Sequence, residues 1–170
     1  MIRLKGSLQH YDWGGYEFIS NLIRRSVPED KPLAELWLGT HPRGPALTEG
    51  GTPLPDLLTE KPRRFLGHRQ SDGQLPFLFK VLDVRQMLSI QVHPGKSEAE
   101  AGFEREDKLG IPIGAPHRNF KDRNHKPELM VALSPFWLLH GFREEKEIIA
   151  LLSDITGSQR LIRTLEEEGL

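Results

Sequence analysis

The clearest alternation in the chain runs from Leu88 to His93, LSIQVH, and stops at Pro94-Gly95. Successive side chains of an extended segment point to opposite sides, so Leu88, Ile90 and Val92 take one face and Ser89, Gln91 and His93 the other. A polar face on a β-branched strand meets either solvent or a lined cavity, and alternation alone favours solvent. AELWLGTHP at 34–42 alternates in the same way, Glu35 and Trp37 against Ala34, Leu36 and Leu38, and predicts a half-buried strand. LPFLFKVLDV at 75–84 is almost continuously apolar and predicts a strand buried on both faces except near Lys80. ELMVALSPFWLLHGF at 128–142 predicts one or two strands broken at Ser134-Pro135.

Helical spacing appears in fewer places. Ser97 with Glu100 matches a capping box and predicts a helix running to about Leu109 and ending at Gly110, before Pro112. Phe18 to Arg25 and LPDLLTE predict short helices, the rest of 41–74 being loop-rich. Beyond Arg143, Ile148, Ile149, Leu151, Leu152 and Ile155 form one stripe, and Leu161, Ile162 and Leu165 a second after Thr156-Gly157-Ser158. Two amphipathic helices closing a β-rich chain either fold back on the sheet or open a helical domain.

Composition narrows the classes. A length of 170 residues suffices for one domain with a core, or one domain and the start of another. The net charge of -1 and pI of about 6.7 give no electrostatic case for nucleic acid or a membrane. With no cysteine, a metal would need imidazole, carboxylate or amide ligands. No signal-like N-terminus and no apolar run of membrane length are present, so a cytoplasmic location is expected.

One constellation competes with solvent for the polar face of 88–93. In HKPELMVAL, Lys126 and Glu128 share a face, and Glu128 on a neighbouring strand could meet Gln91 and His93. An imidazole, a carboxylate and an amide oxygen make a borderline-metal set with zinc the default, though spacing alone is weak support. Lys96 after HPG is either a surface lysine or a point charge for phosphate. His117 and His125, in a basic loop with Arg118, Lys121 and Arg123, are expected to be solvated. His140, Trp13 and Trp37 are expected in the core. No Gly-rich phosphate loop, H-E-x-x-H pair or G-x-S-x-G elbow occurs.

YDWGG at 11–15, AELWLGTHP, LPFLFKVLDV, LSIQVHPGK at 88–96, DRNHKPEL at 122–129 and HGF at 140–142 occur in an order that resembles the type I mannose-6-phosphate isomerases (phosphomannose isomerases), zinc enzymes of the cupin superfamily. The resemblance covers nearly all of 1–142. It implies a mainly β cupin, a jelly-roll-like barrel of which 1–142 is the N-terminal catalytic part, with 143–170 the first helices of a helical insertion domain. It implies zinc as cofactor with Gln91, His93 and Glu128 as three of four ligands, so that the polar face of 88–93 looks into a barrel cavity. Trp13, Glu35, Ser89 and Lys126 match positions lining the family's substrate pocket, Lys126 being the best acid–base or phosphate-side group. The implied reaction interconverts mannose 6-phosphate and fructose 6-phosphate, in carbohydrate metabolism leading to GDP-mannose, and the implied partner is a sugar phosphate.

Members of that family are about twice this length or more, and the fourth ligand, a histidine, and a catalytic arginine come from the returning half. The expectation is therefore an N-terminal portion. The alternatives are a non-catalytic cupin-like module that binds metal or sugar phosphate, and half of a split enzyme whose partner is the missing C-terminal half.

Overall fold

A computed structural model describes residues 1–25, 28, 31–68 and 75–169. The loop-rich reading of 69–74 lies outside the described residues. The chain divides into two compact units, Met1–Ser89 and Ile90–Leu170.

The first unit is built on a three-stranded antiparallel sheet, β2 (Ser7–Gln9), β3 (Glu35–Leu38) and β5 (Phe79–Leu82), in the order β2-β3-β5. The register sets Leu36 opposite Leu8 and Val81, and Glu35 opposite Gln9 and Leu82. A two-stranded sheet pairs β1 (Leu4–Lys5) with β4 (Leu47–Thr48). β3 was expected to be half-buried and is buried on both faces. It is the central strand, and Leu36 packs with Ile19, Leu33, Leu8, Ile23 and Val81. Polar contacts close the face that carries Glu35 and Trp37.

The run 75–84 departs from its expectation in the other direction. Only Phe79–Leu82 forms a strand, and it is an edge strand with β3 as its one neighbour among the described residues. Phe77 and Phe79 are exposed, because an apolar run reports hydrophobicity and not the presence of a second neighbour.

Helix α1 (Phe18–Ile23) has no side-chain cap of its own at Glu17. Asp83, far along the chain, accepts the free N–H groups of Phe18 (2.9 Å) and Ile19 (3.3 Å) instead. This brings Asp83 against the YDWGG turn, where a Cβ on Gly15 would lie 2.0 Å from its Oδ1, so a side chain there would push the capping carboxylate aside. α2 (Leu54–Glu60) and α3 (Pro62–Leu66) each begin with proline in the first turn. Leu54 and Leu58 build a second core cluster with Ala46, joined by Leu38, Leu57, Phe65, Leu66 and Leu75.

In the second unit the expected long helix is α4 (Lys96–Lys108). Its N-cap is Gly95 and not Ser97, and the carboxylate of Glu98 accepts the Gly95 N–H at 2.8 Å. The reciprocal bond of a capping box is missing because glycine has no hydroxyl. Pro94-Gly95 breaks the extended chain two residues earlier than the serine suggested. The helix ends as expected at Leu109, with Gly110 at φ 70°. The two stripes form α5 (Glu145–Ser153) and α6 (Gln159–Glu168), which pack together after a turn with Gly157 at φ 91°.

Residues 88–93 and 128–142, expected as strands, belong to no ladder among the described residues. Both run as chain without regular structure, and their apolar faces lie open: Val92 is 81% and Leu129 94% exposed. Alternation fixes which side chains share a face but cannot supply the neighbour whose backbone completes a sheet. His140 is exposed for the same reason and is not a core residue.

Candidate metal centre

The second unit brings two of the three expected ligands together. Nε2 of His93 lies 3.8 Å from Oε1 of Glu128, the imidazole side chain 30% exposed and the carboxylate 64%. At that distance the pair is not hydrogen-bonded. Two ligands about 2.0–2.2 Å from one tetrahedral zinc stand roughly 3.3–3.6 Å apart, so a small adjustment would let both reach one ion. An imidazole nitrogen and a carboxylate oxygen are also the donor chemistry that zinc takes. Gln91 sits two residues before His93 on the same exposed segment, and its side chain has no hydrogen bond among the described residues. No cluster of three or more His, Cys, Asp or Glu able to hold a metal occurs among the described residues, so a third donor from this set would be the Gln91 amide.

His93 also lines a shallow cleft of about 480 Å³ with Val92, Pro94, Glu98, Ala101, Arg105 and Phe120. The guanidinium of Arg105 stands 5.5 Å from the centre of the Phe120 ring. Lys126 is half-exposed, its Nζ 3.5 Å from Asp122 Oδ2. The turn before it is closed by Asp122 Oδ1, which accepts the Asn124 N–H at 2.8 Å. His117 and His125 are exposed, as expected for that loop.

Arg118 is a correction. It belongs to the basic loop in which His117 and His125 were expected to be solvated, yet it is buried, with its side chain 1% exposed. Nε donates to the Phe120 carbonyl at 2.7 Å and Nη1 to that of Ile111, while Nη2 lies 2.8 Å from Asp107 Oδ1. The guanidinium also covers the Phe103 ring at 4.7 Å. Beside it Glu106, buried on α4, accepts the N–H groups of Phe120 (2.8 Å) and Asn119 (3.2 Å). Burial pushes the Glu106 carboxyl up, but the two backbone N–H groups and the charges of Arg118 and Arg105 together outweigh it and hold the group below its ordinary value. A sequence signal for this knot existed: Glu106 continues the buried face of Ala99 and Gly102 at helical spacing.

In the first unit the expected pocket residues have these places. Trp13 stacks on Tyr11, with ring centres 5.5 Å apart at 21°, and its carbonyl accepts the N–H groups of Arg85 and Gln86. It is half-buried and not a core residue. Glu35 is buried, and the Trp37 indole N–H donates to its Oε2 at 2.6 Å while Lys80 Nζ stands 3.8 Å from Oε1. Lys80 and Arg43 also approach the buried Trp37 ring, each at 5.7 Å. The sequence pattern gives no sign of this Glu35–Trp37–Lys80 group beyond Lys80 itself, a charge inside a largely apolar run. Ser89 is exposed.

The sheet-and-helix fold of this chain matches that of solved sugar-phosphate isomerases. The crystal structure of mannose 6-phosphate isomerase from Salmonella typhimurium, bound to substrate and a zinc atom, superimposes with a TM-score of 0.83 and 40% identity, covering 100% of this chain and 44% of that one. The mannose-6-phosphate isomerase of Escherichia coli K12 is 42% identical over 168 residues, which is 95% of this chain and 43% of that protein. The human mannose-6-phosphate isomerase is 39% identical over 173 residues, 94% of this chain and 38% of that protein. Residues 1–145 match the family model for the catalytic domain of type I phosphomannose isomerase. The chain belongs to the type I phosphomannose isomerase family. It spans less than half the length of the curated relatives it matches.

Proposed function

We propose that this chain is the N-terminal catalytic portion of a zinc-dependent isomerase that interconverts mannose 6-phosphate and fructose 6-phosphate. The observation that carries the reading is the 3.8 Å approach of His93 to Glu128, two residues from separate motifs of the family sequence. In this reading Gln91, His93 and Glu128 hold the zinc, which when bound supplies positive charge that stabilises the oxyanion developing as carbonyl and hydroxyl exchange places. Lys126, two residues before Glu128, is the acid–base or phosphate-side group. Trp13, Glu35 and Ser89 line the sugar-phosphate pocket.

The fold reading follows from the same family. Residues 1–142 form part of a cupin barrel, and the bare apolar faces of 88–93 and 128–142 support this, since strands of a closed barrel find neighbours on both sides. Chain beyond these 170 residues would supply them. Residues 143–170 open a helical domain. The reading places the enzyme in the cytoplasm, in the carbohydrate metabolism that leads to GDP-mannose.

Turnover of mannose 6-phosphate by the purified chain, with added zinc and after chelation, tests the reading. Zinc-dependent fructose 6-phosphate means that these residues suffice for the reaction. A folded chain that binds zinc without turnover means that chemistry essential to the isomerase lies outside it, and a folded chain that binds no zinc removes the metal site.

A further inference from the structure

Lys96 follows His93 by three residues and opens α4, half-exposed, where a lysine is ordinarily free. Here its ammonium has three neighbours. Nζ donates to the Arg123 carbonyl at 2.8 Å, stands 3.5 Å from Asn124 Oδ1 and lies 3.2 Å from Glu100 Oε1, one turn along the same helix. An ammonium has three N–H donors, and three acceptors stand around this one, the Arg123 carbonyl the nearest. Two of the acceptors belong to the turn at 122–124, four residues before Glu128. A second tie holds the same turn from further along α4: Arg123 lies 3.3 Å from Glu104 and 5.1 Å from the centre of the Phe103 ring.

From this arrangement we infer that Lys96 is a positioning residue for the metal pair. The helix it opens carries His93 at its threshold, and the turn it grips leads into Glu128. The clasp therefore sets the distance between the two side chains, which share no hydrogen bond of their own. This rests on the zinc reading of the His93–Glu128 pair. Outer partners that orient metal ligands are worth on the order of 10–100-fold in affinity. A half-exposed clasp belongs at the lower end.

The test compares Lys96→Met, Lys96→Arg and Lys121→Met in the purified protein. Lys121 is an exposed lysine of the same loop with no hydrogen bond or ion pair among the described residues. Zinc affinity is read by competition with a chromophoric chelator, and backbone amide exchange over 121–128 is read in the metal-free protein. Lys96→Met should bind zinc about tenfold more weakly and exchange faster over 121–128. Lys96→Arg should recover most of the affinity, and Lys121→Met should match the parent. A Lys96→Met protein with parental affinity and exchange overturns the inference, as does a Lys96→Arg protein no better than Lys96→Met. If the parent binds no zinc but exchange still rises in Lys96→Met, the metal reading falls and the clasp stands. Should Lys96→Met fail to fold, Glu104→Gln releases the second tie and must weaken zinc binding in the same direction for the inference to survive.

Discussion

Nε2 of His93 and Oε1 of Glu128 stand 3.8 Å apart, close enough to share an ion and too far to hydrogen-bond. Two exposed side chains with that spacing contribute little to folding, since an isolated surface ion pair is worth no more than about 1 kcal/mol. His93 lies two residues ahead of the N-cap of α4, and Glu128 follows a turn that is tied back to α4 through Lys96 and Glu104.

Removing either ligand should therefore separate metal binding from stability. His93→Ala and Glu128→Gln are each expected to weaken zinc by more than about a hundredfold, beyond the cost of losing an outer partner. Both should keep their unfolding free energy within about 0.5 kcal/mol of the parent, as exposed substitutions do. Chelator competition and urea unfolding on the metal-free proteins measure the two quantities. A variant that binds zinc like the parent would dismiss that residue as a ligand.

How much of this was legible in the sequence depends on how local the cause is. The stop at Gly110, the proline-led α2 and the stripes of α5 and α6 depend on residues within a turn or two, and the sequence shows them directly. Pairing is not local. LSIQVH carries a strand's alternation, yet nothing in the hydrophobic pattern could reveal that no ladder joins it among the described residues. The sequence already groups Gln91, His93 and Glu128, through the expected pairing of two strands and through the family resemblance. The structure brings His93 beside Glu128 with neither segment in a ladder among the described residues. Arg118 was hidden because a guanidinium among other charges looks solvated. Its burial depends on Glu106, Asp107 and Phe103, which reach it from a helix about ten residues away.

That burial exposes Arg118 to a large loss on substitution. Arg118→Met keeps the stem over Phe103 but abandons two carbonyls and takes the guanidinium away from Glu106 and Asp107. Breaking one side of a buried pair costs about 3–5 kcal/mol, so the urea midpoint should fall steeply. Lys108→Met, an exposed change on the same helix, should stay within about 0.5 kcal/mol. A loss below about 1 kcal/mol at Arg118 would mean that the knot does not hold the loop to α4.

Acid should act through Glu106. Its carboxyl titrates lower in the folded protein than in the unfolded chain, so the folded state stays ionised while the unfolded one takes up a proton. The stabilisation is fully present above the unfolded value, about 4.3 for a free glutamate. It is lost as pH falls below that value and through the lower folded one. Melting temperatures measured from pH 6 down to pH 3 should drop in the parent, and Glu106→Gln should melt lower at pH 6 and fall less steeply. Parallel curves for the two proteins would remove Glu106 as a source of the acid sensitivity.

Gly102 sets two known effects against each other. Glycine inside an exposed helix costs about 1 kcal/mol relative to alanine, so Gly102→Ala should stabilise α4 if propensity decided the outcome. A Cβ there, however, would lie 2.5 Å from three atoms of the Phe120 ring, which is held in place by Arg105 and by the Glu106 carboxylate on its backbone. Overpacking of that kind costs about 1–3 kcal/mol, enough to cancel the propensity gain and reverse it. The expected result is a net loss of about 1 kcal/mol in urea unfolding. In a Phe120→Leu background the flat ring is gone, so the same Gly102→Ala change should become neutral or stabilising, with a coupling of about 1 kcal/mol or more between the two sites. An additive double mutant would show that the ring and the glycine do not press on each other, and that α4 tolerates a side chain where the fold leaves no room for one.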